Sequence, residues 1–190
     1  MFVAININKE LKDYIFSISN TIAVNAVKNS IKIKNVDIDN LHISIKFLGN
    51  LNSLEIEKTI RALQNISSKK NSFNIELAKE IGFFPNNKYP KIIWIGIKDG
   101  YEEIKIIYDD FNRELKLEPF FKSEKSIIPH ITLSRIKNAT YIKNTNILFE
   151  NIPFKVYKQN VSSIDLMESV LTPKGPIYNC ISNFPFLKNI

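Results

Sequence analysis

One order of elements occurs twice in this sequence. Leu11, Tyr14, Ile15, Ile18 and Ile22 stand at the i, i+3, i+4, i+7 and i+11 positions of an amphipathic helix, and Ile104, Ile107, Tyr108, Phe111 and Leu115 repeat that spacing in the second half. Each helix leads, through a connection, to a short segment that alternates like a strand and carries a histidine at its start: LHISIKF at 41–47 and HITLSRI from 130. The two histidines lie 88 residues apart. Helices alternating with single strands could also mean parallel βαβ units, but no Gly-rich phosphate loop follows any strand. The repeat therefore points to two pseudo-symmetric lobes, each an antiparallel sheet backed by helices.

The remaining segments fit this frame. Residues 2–7 read as a strand, with Phe2, Ala4 and Asn6 opposed to Val3, Ile5 and Ile7. A shorter helix is predicted over Ser53–Ser67, with Glu55 and Glu57 in its first turn and Ile56, Ile60 and Leu63 on one face. Strands at 73–83 and 91–97 flank the turn-forming FPNNKYP. An irregular connection over 119–129 precedes the second histidine, and 139–148, 152–158, 160–170 and 176–184 read as a short helix and strands. No low-complexity stretch or flexible linker separates the halves. The expectation is one two-lobed domain over 1–190, of class α+β: bilobal, with pseudo-two-fold duplicated antiparallel sheets flanked by helices and an active site in the central cleft.

Composition narrows the setting. A chain of 190 residues, 44% hydrophobic and 24% charged, reads as an ordinary globular protein. It should bury roughly two-thirds of its unfolded surface, so no disulfide or metal staple is required. Its one cysteine, Cys180, cannot form an internal disulfide, which favours a reducing, cytoplasmic location. The start FVAININ lacks the basic and apolar regions of a signal segment. The densest apolar run, Ile92–Ile97, falls far short of the ~20 residues that span a bilayer, so no membrane partner is expected. The net charge of +7 favours a polyanionic partner, although lysines also serve simply to solvate a surface.

His42 and His130 are the only histidines, and each has a hydroxyl two residues on: His42-Ile43-Ser44-Ile45 and His130-Ile131-Thr132-Leu133. On a strand, positions i and i+2 share a face. His42 with Ser44, and His130 with Thr132, would thus face one way over apolar residues packed into the core. With 15 Ser and 6 Thr in the chain, two such coincidences have a chance on the order of 1%. One such motif alone would read as a polar residue steadied on a half-exposed strand. Two matched copies containing every histidine favour function. Imidazole, with an ordinary pKa near ~6.5, can serve as acid on one side of a phosphate and base on the other. Hydroxyl donors can stabilise the charge that develops on its oxygens.

LHISIKFLGN and PHITLSRIKN resemble the paired His-x-Thr/Ser motifs of the two-histidine phosphoesterase superfamily, and within it the RNA 2′,3′-cyclic phosphodiesterases, also called 2′-5′ RNA ligases. FFPNNKYPKIIWIGI and FVAININKEL are similar to the family's intervening stretch and to its first strand and helix. Two positions depart from the pattern: Ser44 stands where many relatives carry Thr, and Lys91 where Arg is expected. The resemblance implies hydrolysis of an RNA or oligonucleotide 2′,3′-cyclic phosphate end to a 2′-phosphate, with His42, His130, Ser44 and Thr132 catalytic. It further implies His42 as the acid toward the 3′ oxygen and His130 as the base toward water, roles that the residues alone do not distinguish. The reverse reaction, joining RNA ends through 2′-5′ linkages, would use the same pair, and a small cyclic nucleotide is another possible substrate. A non-catalytic RNA-end binding module is the rival from another class.

Two cations are candidate substrate-binding residues. Lys46 continues the His42–Ser44 face of an ideal strand. Arg135 falls on the opposite face from His130 unless a bulge reverses it. Phe84, Tyr89 and Trp94 could stack a base or belong to the core. Two histidines so far apart, with no acidic or thiol neighbour, do not compose a metal ligand set, and neither metal nor cofactor is expected. A monomer is expected.

Overall fold

The computed structural model describes residues 1–122, 126–137, 141–173 and 175–188. Among them, strand β1 (Phe2–Asn6) leads into helix α1 (Lys9–Lys28), a short strand β2 (Ile33–Asn35), strand β3 (His42–Phe47), helix α2 (Ser53–Ser67) and strand β4 (Phe73–Phe84). The second half runs through β5 (Ile92–Ile97), α3 (Tyr101–Glu114), β6 (His130–Ile136), β7 (Lys158–Val161), β8 (Ser163–Thr172) and β9 (Gly175–Pro185). The helices form where their apolar stripes and caps dictate. Asn8 accepts the Leu11 N–H at the start of α1, and Asn52 and Glu55 make a reciprocal capping box on α2.

The strands lie in the order β7-β4-β5-β6-β3-β1-β8-β9, every described pairing between them antiparallel, with β2 also beside β6. The two His-bearing strands are therefore neighbours at the centre. Each half sends its later strand to the other: β4 pairs β5, and β8 pairs β1. The α+β, two-lobed duplication expected from the repeat is present, and its two halves meet within one continuous sheet, where Ile43 of β3 pairs Ile131 of β6. On one face the apolar stripes of α1, α2 and α3 and the inward residues of the strands build one contiguous core across both halves. Ile43 and Ile131 lie fully inside it, each worth about 1.5–3 kcal/mol of burial. The opposite face carries a smaller cluster, Phe2, Ala4 and Met167 with Tyr178 packed on it.

Two local expectations are corrected, and one short strand was not expected. The 152–158 segment is not a strand until Lys158; Pro153 offers no N–H, and the Tyr14 hydroxyl instead receives the Lys155 N–H at 2.6 Å. The expected helix over 139–148 is a 3₁₀ turn at Thr145–Phe149, and its residues 139–140 lie outside the described residues. Strand β2 is too short to show a period in sequence. No helix among the described residues is long and apolar enough to cross a membrane.

Candidate active site

β3 and β6 share one burial sequence from the histidine onward: half-buried, buried, half-buried, buried, buried, exposed. The pattern breaks strict alternation because each strand bulges at the third residue after its histidine. Between β1 and β3, Ala4 pairs Ser44 and Val3 pairs Lys46, leaving Ile45 extra. Between β5 and β6, Trp94 pairs Thr132 and Ile93 pairs Ser134, leaving Leu133 extra. A bulge turns two successive side chains to one side and shifts the face of all that follow.

This decides the two cations. Lys46 joins the core side, 3% exposed, with its ammonium 5.3 Å from the Phe121 ring centroid and 5.9 Å from that of Tyr108. The expectation that it faces the cleft is corrected. Phe47 takes the cleft side instead, stacked obliquely on Phe2 at 5.8 Å. In β6, Ser134 is the buried counterpart of Lys46, and Arg135 is turned to the cleft.

The resulting groove, about 390 Å³, is lined by His42, Ser44, His130, Thr132 and Arg135, with Val36, Asn40, Phe47 and Tyr178. The structure thus brings together five of the six residues singled out from sequence. Asn40 and Tyr178 were not foreseen. Tyr178 sits on β9, far along the chain, and nothing in its neighbours' spacing marks it.

Both imidazoles are held alike. Nδ1–H of His42 donates to the Asn40 carbonyl at 2.7 Å, and Nδ1–H of His130 to the Ile128 carbonyl at 2.6 Å. A carbonyl can only accept, so Nδ1 carries the hydrogen in each neutral ring and Nε2 is left for chemistry. His42 Nε2 is 2.8 Å from Ser44 Oγ; His130 Nε2 has no hydrogen-bond partner among the described residues. Rings wall each one: Phe2 and Tyr178 at 5.1 and 5.3 Å from His42, and Phe84 and Trp94 at 5.1 and 5.7 Å from His130. Trp94, with Phe84 stacked on it, lies across Gly82 where any Cβ would collide with the indole. These aromatics shape the histidine pockets.

Burial lowers both histidines from the ordinary 6.5, against the raising effect of their carbonyl partners; positive charge on His130 and Lys12 lowers His42 further. Burial raises Tyr178, and the nearby Arg135 guanidinium works against that rise. Among the described residues no group of three His, Cys, Asp or Glu side chains could hold a metal ion.

Residues 5–94 match the family model for the LigT-like phosphoesterases. Over 187 residues the chain is 30% identical to the RNA 2′,3′-cyclic phosphodiesterase of Methanocaldococcus jannaschii, covering 97% of this chain and 99% of that one. It is 31% identical over 150 residues to the RNA 2′,3′-cyclic phosphodiesterase of Aquifex aeolicus, covering 78% and 79%. The fold is shared with the solved structure of TT0787 from Thermus thermophilus, with a TM-score of 0.74, 20% identity, and coverage of 97% and 96%.

Proposed function

The chain belongs to the LigT-like phosphoesterase family, and from that premise we propose that it hydrolyses RNA 2′,3′-cyclic phosphate ends to 2′-phosphates by metal-independent acid–base catalysis. The observation that carries the reading is the matched pair of imidazoles, each with Nδ1 tied to a carbonyl and Nε2 presented to one groove beside a hydroxyl and an arginine. Such a pair is suited to in-line displacement at a phosphorus held between them.

In the proposed reaction His130 Nε2 accepts a proton from water as the water oxygen bonds to phosphorus. The P–O3′ bond breaks, and O3′ takes the proton from His42 Nε2, leaving a 3′-hydroxyl and a 2′-phosphate. His130 is the base because its Nε2 lone pair meets no protein donor among the described residues. His42 must be protonated for its part, and its lowered pKa opposes that in the free protein. The anionic phosphate supplies the missing stabilisation on binding. Ser44 and Thr132 donate to non-bridging oxygens, and Arg135 neutralises charge there.

The test is incubation of the protein with an oligonucleotide ending in a 2′,3′-cyclic phosphate, in EDTA, with product ends mapped. Turnover to a 2′-phosphate is expected. A 3′-phosphate product would overturn the proton assignment, and loss of activity in the chelator would overturn the metal-free mechanism.

A further inference from the structure

The groove is open on the side of β2. A second hollow of about 450 Å³ adjoins it, and Val36, Asn40, Arg135 and Tyr178 line both. Lys34 and Asp37 line the second alone. In the β2–β6 pairing, Lys34 stands directly opposite Arg135. Residues directly opposite in an antiparallel pair project from the same face with Cβ atoms about 4.5–5.5 Å apart, and like charges placed so weaken the pairing. The cost falls on a strand of three residues, Ile33–Asn35, which has few pairs to offset it. An anion between the two side chains removes that cost.

We propose that Lys34 and Arg135 form a second phosphate subsite, which receives the phosphate on the 5′ side of the terminal nucleoside. The proposal rests on the phosphodiesterase reading of the groove and extends it: the protein prefers the end of an RNA chain to a bare cyclic mononucleotide. Arg135, lining both hollows, spans the scissile phosphate and its neighbour, and Lys34 stands beyond it. Asp37 is the carboxylate of the second hollow. Its Oδ2 and the Lys34 Nζ lie 3.8 and 3.5 Å from where a Cβ on Gly175 would stand. Among the described residues that line the second hollow, two cations stand with one carboxylate, a balance suited to the single charge of a phosphodiester. Tyr178, Pro176 and Val36 supply the apolar wall against which a nucleoside can lie.

The experiment compares kcat/KM for three substrates: a uridine 2′,3′-cyclic phosphate, the same nucleotide with a 5′-phosphate, and the dinucleotide UpU ending in a 2′,3′-cyclic phosphate. The wild type should favour the dinucleotide over the bare mononucleotide about tenfold or more. Lys34→Ala should collapse that ratio toward one, and Lys34→Arg should keep it. The ratio should also shrink as salt rises. The 5′-phosphorylated mononucleotide shows whether a terminal phosphate satisfies the subsite as well as an internucleotide one. If it alone is favoured, the subsite reads a 5′-end and the chain preference is overturned. A ratio unmoved by Lys34→Ala, whether all rates fall together or none changes, would overturn the subsite. A wild type that turned over none of the three would overturn the phosphodiesterase reading itself, and the subsite with it.

Discussion

Ile43 and Ile131 face each other across the junction of the two halves, each one residue after a histidine and each fully buried. Carried one residue either way, that antiparallel register sets His42 across from Thr132 and Ser44 across from His130. All four project from the face opposite the isoleucines. The buried pair thus acts as the pseudo-two-fold centre of the molecule and fixes how the two imidazoles are presented to one groove.

His42→Ala and His130→Ala should each lower kcat by roughly 10²–10⁴, the usual contribution of a positioned acid or base. Ser44→Ala and Thr132→Ala should each lower it by roughly 10²–10³ if they donate to the phosphate. Steady-state rates with circular dichroism as a folding control decide the matter. A folded histidine variant with near-normal turnover would remove that residue from the mechanism.

The acid–base pair should leave its mark on the pH profile. Both histidines are lowered from 6.5, chiefly by burial, and His42 also by His130. The competent free protein carries one proton on the pair, so kcat/KM should peak on the acid side of 6.5 and fall above it. The same shifts act on stability. The unfolded chain binds more protons between its ordinary pKa and the lower folded ones, so these groups' contribution is full above about 6.5 and is lost as pH falls through the folded values. Rate profiles and melting curves from pH 5 to 8 test both. A kcat/KM maximum above pH 7 would contradict the shifts.

Lys46 and Arg135 should separate cleanly. Arg135→Ala should reduce kcat/KM by about 10–100-fold with little change in melting temperature, as expected for one charge-assisted phosphate contact on an exposed side chain. Lys46→Met fills the same core volume without a charge and should alter melting temperature far more than KM. The reverse pattern, with KM raised by Lys46→Met alone, would put Lys46 back in the groove.

Gly82→Ala should be costly for its size. The new methyl meets the Trp94 indole, and overpacking of this kind costs about 1–3 kcal/mol. Trp94 also walls His130, so turnover should fall together with stability. Gly82→Ala combined with Trp94→Leu should recover stability; a double variant no more stable than the single would show that the indole is not what the methyl meets.

The sequence by itself determined the parts that depend on local spacing. Apolar residues at helical period placed α1 and α3, alternation placed β3 and β6, and the repeat of His-x-hydroxyl marked the four residues that share one face. Short-range geometry suffices for these, because i and i+2 on a strand point together whatever lies beside it. Only the tertiary structure decided what lies past the third residue after each histidine. The bulges at Ile45 and Leu133 arise from how β3 registers against β1 and β6 against β5, and no residue within the strands announces them. They exchange the faces expected for Lys46 and Arg135, sending one to the core and the other to the groove. Tyr178 reaches that groove, and Lys34 the hollow beside it, by the same kind of long-range pairing, through β8–β9 and β2–β6. Side-chain direction follows from a strand's own period until a neighbour's register interrupts it, and registers are set by partners distant in sequence.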